Sequence, residues 1–275
     1  MTTRTHTSGS ANWLLIPPVA LVALSLFAGT ANAALVQVDF DSLSAGAVTA
    51  TTLDGVTTGG SWTLNSLTGG SVSLVHAIEN DGGGSGEKAL SSKFHGSSNP
   101  TNLAISMTST LDFTNAIDVD VTGAQFEFEV AQSKGTGFAR PVKYSFLNSS
   151  GTEIFYFRVN DGNLYVNSSA NQGSVGGGGN TGLATWDSTS LLVWSASVEI
   201  DTAGNVMWGF GGQNGATTIA STADIKTFQS NIDPDQWVGQ GTYLNYFGAT
   251  AVPEPSGLML LLSGVIGLGL LRRRR

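Results

Sequence analysis

Residues 124–130 read Ala124-Gln125-Phe126-Glu127-Phe128-Glu129-Val130, an unbroken alternation of apolar and polar side chains. Successive side chains of an extended chain point to opposite sides, so this segment can bury Ala124, Phe126, Phe128 and Val130 while wetting the other three. A helix cannot do so, because 3.6 residues per turn would scatter both sets around its surface. The stretch predicts a strand with one buried and one solvated face, and the buried face requires a second layer to cover it.

The same period recurs downstream. Leu192, Trp194, Ala196, Val198 and Ile200 alternate with Ser195, Ser197, Glu199 and Asp201, and Ala203-Gly204-Asn205 then turns the chain into Val206, Trp208 and Phe210. Residues 142–148, 153–159 and 163–167 form a predicted meander, separated by Ser149-Ser150-Gly151 and Asn160-Asp161-Gly162. Asn, Asp and Gly tolerate the positive φ of tight hairpins, so these neighbours should pair antiparallel. Shorter strands are expected at 35–40, 61–64, 71–76, 88–94, 103–107 and 242–247. Only 221–230 suggests a short helix, packing Ile225 and Phe228. Trp194 and Trp208, inside regular alternation, are expected in the core. The pattern predicts one all-β domain over 34–250, a two-sheet antiparallel sandwich, with the glycine-rich run 173–182 as a loop inside it.

Composition agrees. Cysteine is absent, so no disulfide or thiolate metal site supports the fold and stability must come from apolar burial and backbone pairing. With hydrophobic residues at 41% and charged residues at 12%, the chain is neither disordered nor strongly hydrated by composition. Its net charge is −8, and the body is more acidic still once Arg4 and the four terminal arginines are set aside. Such a body repels nucleic acid.

The two ends carry addresses. Residues 1–33 have the form of an export signal: Arg4, an apolar run from Trp13 to Phe27, and Ala31-Asn32-Ala33 before a cut expected ahead of Ala34. At the other end, residues 251–275 contain Val252-Pro253-Glu254-Pro255, an uncharged stretch at 257–271, and Arg272-Arg273-Arg274-Arg275. As a helix that stretch spans roughly 22 Å, short of the roughly 30 Å hydrocarbon core of a bilayer, so it crosses marginally with arginines reaching to the interface. The prolines keep the motif extended, and the basic end stays on the cytoplasmic side. These residues resemble the PEP-CTERM sorting signal of exported proteins in Gram-negative bacteria. The resemblance implies transient inner-membrane insertion facing the periplasm and cleavage by an exosortase-type membrane protease. Delivery to the cell surface or extracellular matrix follows. A plain C-terminal tail anchor is the alternative.

The order of strands in the body is similar to concanavalin-A-like and laminin-G-like jelly rolls, on the strand at 38–43, the hairpin at 155–165 and the hairpin at 194–208. Such jelly rolls occur in lectins, laminin-G modules and polysaccharide-active enzymes; together with the sorting signal and the aromatic residues, the expectation is a non-enzymatic protein that binds or embeds in polysaccharide, with self-associating structural protein and polysaccharide hydrolase or lyase as alternatives. No Gly-x-Ser-x-Gly elbow or His-Glu-x-x-His helix occurs, and the body's only histidines are His76 and His95, both expected to be structural. Glu127 and Glu129 stand about 7 Å apart on one strand face. That falls within glycosidase spacing, but the segment lacks the central aspartate of jelly-roll glycosidases and reads as a solvated face. Calcium is the one cofactor suggested, through Asp39 and Asp41, whose spacing puts both on one side of an early strand. Of the aromatic residues, Trp186 and Trp237 lie in expected loops, where an indole escapes packing and becomes available to a sugar ring.

Overall fold

A computed structural model describes residues 34–65, 68–69, 72–80, 88–96, 107–119, 122–133, 142–160, 162–167, 171–175, 191–220, 223–232 and 241–252. The described chain forms two antiparallel sheets. The larger runs in the order β16 (Gln213–Thr218), β15 (Asn205–Phe210), β14 (Leu191–Ile200), β9 (Gly123–Ser133), β18 (Gly241–Val252), β7 (Lys88–Gly96), β6 (Val72–Asn80) and β2 (Gly46–Ala47). β1 (Ala34–Val38) also pairs with β18, and β3 (Thr57–Thr58) pairs with β1. The smaller sheet runs β13 (Asn171–Ser174), β12 (Asn163–Val166), β11 (Glu153–Asn160), β10 (Val142–Leu147), β17 (Asp224–Ile232), β8 (Met107–Asp118) and β4 (Gly60–Leu64).

The alternation at 124–130 does what its period requires. Ala124, Phe126, Phe128 and Val130 are buried, whereas Glu127 is exposed and Gln125 and Glu129 are half-buried. The covering layer is the smaller sheet, and the contact between layers is aromatic. Phe126 stands 4.7 Å from Phe146 of β10, and Phe128 stands 5.1 Å from Phe228 of β17, both measured between ring centroids. Phe228 reaches Phe247 of β18 at 4.6 Å, and Phe157 of β11 reaches Phe210 of β15 at 4.9 Å. Tilted rings at these separations pack closely against one another, and each fully buried side chain stabilises the fold by roughly 1.5–3 kcal/mol. One polar link crosses the same core. The Tyr144 hydroxyl lies 3.0 Å from Thr242 Oγ1, which is 3.3 Å from the Ala131 carbonyl. Burial raises the Tyr144 pKa, so the phenol stays protonated and serves as a donor.

The meander forms in the expected order, with β10, β11 and β12 paired antiparallel. Gly151 and Gly162 take φ of 77° and 75° at the two turns. Trp194 and Trp208 are buried as expected.

Two expectations about elements change. Residues 224–232 form strand β17, hydrogen-bonded to β10 on one side and β8 on the other, in place of a helix. Ile225 and Phe228 are both buried because the β17–β8 register shifts between Ile225 and Thr227, and this irregularity imitates the i, i+3 spacing of a helix. Of the strand expected at 103–107, residues 103–106 lie outside the described residues, and Met107 is in a strand that continues to Asp118. The one described helix, α1 (Ala50–Asp54), is a single turn capped by Thr49, whose hydroxyl accepts from the Thr52 amide at 3.3 Å. The body also extends past its expected end at 250: Ala251 and Val252 pair with Ala124 and Gly123, so Val252 closes a strand. Ala34, the expected first residue after the export cut, pairs with Thr250. The terminal helices expected within 1–33 and 257–271 lie outside the described residues. No described helix is long and apolar enough to cross a membrane.

Candidate functional site

The outward side chains of the larger sheet are set by strand pairing. Across β18, β9, β14, β15 and β16, the residues Gly248, Glu127, Ser197, Gly209 and Asn214 stand side by side in one row. The next row holds Tyr246, Glu129 and Ser195, and the row on the other side holds Thr250, Gln125, Glu199, Met207 and Ala216. Two glycines and a serine make the middle row low, and the flanking rows rise on either side. The result is an open trough of about 710 Å³ that continues past Ser197 and Gly209 toward Glu199 and Met207.

A bulge aims the aromatic residue at this trough. The register of β18 against β9 shifts between Leu244 and Tyr246, which turns both Asn245 and Tyr246 away from the core although they are adjacent in sequence. Tyr246 is 39% exposed. Its ring lies back over its own strand, for a Cβ added to Gly248 would collide with the Tyr246 hydroxyl. Glycine at 248 therefore lets an aromatic face lie flat on the sheet. Asn245 Nδ2 donates to Glu129 Oε1 at 2.8 Å, Ser195 Oγ donates to Glu129 Oε2 at 3.3 Å, and Gln125 Nε2 donates to Glu127 Oε1 at 2.9 Å. These bonds fix both carboxylates while leaving acceptor positions open, since an ionised carboxylate accepts about four hydrogen bonds. Among the described residues, neither lysine, arginine nor histidine lines the trough. Its chemistry is that of a hydroxyl-rich ligand: an aromatic plane for an apolar ring face, and carboxylate and amide groups for the hydroxyls.

The sequence-expected sites fall differently. Asp39 and Asp41 are exposed, but both lie beyond the end of β1. Asp39 Oδ1 accepts from the Asp41 amide at 3.1 Å, and Asp41 Oδ1 accepts from the Lys88 amide at 2.7 Å. The Lys88 ammonium rests on the carbonyl oxygens of Asp41 and Leu43. A calcium ion needs six to eight oxygens, and here a lysine already occupies the carbonyls that would supply them. Among the described residues no three His, Cys, Asp or Glu side chains come together. These residues do not fit a calcium ion.

Trp186 and Trp237 lie outside the described residues, as do Ala31, Ala33, Pro253, Glu254, Pro255 and the terminal arginines. His76 is structural. It sits within β6, buried, with Nε2 donating to the Asn65 carbonyl and Nδ1 accepting from Ser92 Oγ, each at 2.8 Å. Burial lowers its pKa, opposed by the Asn65 contact, and the neutral ring matches both partners.

Glu127 and Glu129 read as a solvated face in sequence and prove to line the trough, as does Tyr246, which in sequence is one of several aromatic residues suited to a sugar and ranks behind Trp186 and Trp237. The strand at 242–247 was legible, but its bulge was not. The signal was the adjacency Asn245-Tyr246 followed by Gly248, which has meaning only once β9 is known to lie alongside.

No family model matches the chain, and no curated protein matches it. Solved structures with a partial likeness include the carbohydrate recognition domain of Emp47p, 6% identical over 79% of this chain and 95% of that one, with a TM-score of 0.42. Others are lectin II from Ulex europaeus, 7% identical over 60% and 90%, TM-score 0.37, and an arabinose-bound α-L-arabinofuranosidase, 11% identical over 80% and 27%, TM-score 0.39. Likeness at this level says nothing of what the chain binds, and the two-sheet antiparallel sandwich stands on its own strand pairing.

Proposed function

We propose that this is an exported, sorted surface or biofilm-matrix protein whose sandwich binds exopolysaccharide along the outer face of the larger sheet without cleaving it. The observation that supports binding is the flat-lying Tyr246 ring beside a glycine-floored trough carrying Glu127, Glu129 and Asn214. A trough open along several strands suits a polymer segment better than an enclosed small molecule. The non-enzymatic reading rests on the carboxylates. Glu127 and Glu129 stand on one strand of one open face, so they do not flank a bond from opposite sides of a cleft as the two carboxylates of a glycosidase do.

Export and sorting rest on residues 1–33 and 252–275, through the resemblance to PEP-CTERM signals. Exosortase-type cleavage near Pro253-Glu254-Pro255 would free the body into the extracellular polymer. Mass spectrometry of the mature protein from its producing cells should find a C-terminus near the motif, and recovery of an intact arginine-ending tail in the inner membrane would overturn this part.

Binding is tested by retention of the full-length protein, purified in detergent, on immobilised exopolysaccharide from the producing organism. Retention above a control protein, lost in Tyr246→Ala, is expected; equal retention of variant and wild type would discard the trough. Reducing-end or unsaturated-product assays over a polymer panel are expected to stay silent. Turnover abolished by Glu127→Gln would replace binding with hydrolysis or elimination.

A further inference from the structure

The outward face of the smaller sheet carries a second arrangement that the trough does not use. Lys143 of β10 pairs directly with Arg158 of β11, and Arg158 pairs on its other side with Tyr165 of β12. All three alternate with buried neighbours, Val142 and Tyr144, Phe157 and Val159, Leu164 and Val166, so their side chains share the outer face. Like charges directly opposite each other on paired strands repel, and a fold gains nothing by placing them there. The chain has 12 Lys and Arg against 20 Asp and Glu, so cations are scarce and this juxtaposition is not a consequence of abundance.

The two cations are held differently. Lys143 leans away from Arg158, with its ammonium 2.6 Å from Glu153 Oε2 and 4.4 Å from the Tyr156 ring centroid. Arg158 has no ion-pair or hydrogen-bond partner among the described residues. Arg158 stands on the outer face with Tyr165 opposite it on one neighbouring strand and Lys143 opposite it on the other. Asn167 braces this end of the sheet. It is the only described non-glycine residue at positive φ, 47°, and its Oδ1 accepts from the Tyr156 amide at 2.7 Å. Tyr156 and Tyr165 thus flank the cations from strands tied to each other at their ends.

We propose that Arg158, Lys143 and Tyr165 form a subsite for the carboxylate of a uronate-containing polysaccharide, separate from the trough on the opposite sheet. A planar guanidinium matches a carboxylate with two parallel hydrogen bonds, and an adjacent tyrosine face takes the sugar ring that bears it. Lys143, paired with Glu153, balances that carboxylate and so leaves the Arg158 charge uncancelled. With an anion-reading strip on one sheet and a carboxylate-lined trough on the other, a single body holds two polymer segments and cross-links them.

The test measures binding of full-length protein in detergent to polygalacturonate, neutral dextran, dextran sulfate and single-stranded DNA at low and high salt. Polygalacturonate is expected to bind in preference to the other three, to weaken as salt rises, and to bind at least tenfold more weakly to Arg158→Gln. Arg158→Lys keeps the charge without the fork and is expected to fall between the two. A melting temperature within a few degrees of wild type confirms that each variant is folded. Tyr246→Ala is expected to leave this binding unchanged even if trough binding fails, which separates the two sites. Polygalacturonate binding that Arg158→Gln does not weaken, or equal binding of dextran sulfate or DNA, would overturn the assignment.

Discussion

The two outer faces of the sandwich share one core and have opposite chemistry. Behind both lies the same aromatic layer, in which Phe126 and Phe128 of the larger sheet meet Phe146, Phe157 and Phe228 of the smaller. In front, the larger sheet presents Glu127, Glu129 and Glu199 around small residues, while the smaller presents Lys143 and Arg158 between tyrosines. Burial dictates every second residue of a strand and leaves the intervening ones free. The inward set of each sheet is therefore interchangeable in character, and the outward set records what each face meets.

The comparison breaks most completely if the shared core is removed. Phe128→Ala is expected to cost about 3–5 kcal/mol, because Phe128 touches rings from β10, β11, β17 and β18. Urea unfolding should show it, with both faces losing their ligands together. On the trough side alone, Gly248→Ala should lift the Tyr246 ring and weaken exopolysaccharide binding about as much as Tyr246→Ala, roughly tenfold, with polygalacturonate binding unaltered.

The tether between the sheets is a smaller contribution. Tyr144→Phe removes the hydroxyl that meets Thr242 but leaves Thr242 its contact with the Ala131 carbonyl, for a cost of about 1 kcal/mol in urea unfolding with neither face affected.

A pH effect is expected from His76, which lies on neither outer face. Its folded-state pKa is lowered below the ordinary 6.5, so the unfolded chain binds the proton more readily. Stability from the neutral ring is complete above pH 6.5 and declines as pH falls from there toward the folded-state value. Melting temperatures measured from pH 8 to pH 5 should fall below pH 6.5, and His76→Gln should flatten that part of the profile. The smallest effect is expected from calcium. With Lys88 on the carbonyls beside Asp41, millimolar calcium should leave the melting temperature unchanged, and a rise abolished by Asp39→Ala would restore a metal to this loop.

Most of the architecture was legible because period two is a local signal. The strand at 124–130, the meander and the hairpin at 194–210 each announce their buried side without reference to anything distant. Register is not local. The slip at Ile225–Thr227 gave β17 the outward look of a helix, and the bulge at Asn245 hid the one aromatic residue that faces the trough. The rows that define both faces depend on which strands are neighbours. β9 lies between β14 and β18, partners separated from it in sequence by whole elements. Glu127 and Arg158 read as ordinary solvated residues until Gly248 and Lys143 are seen beside them.

β18 ends at Val252, immediately before Pro253, and it is an interior strand. β9 is bonded along one edge of it, and β7 and β1 share the other. Tension applied at Val252 along the strand would load both ladders in shear, many hydrogen bonds at once, where a strand at the rim would peel away one bond at a time. A pull on the chain at Val252 is thus met by hydrogen bonds along both edges of an interior strand.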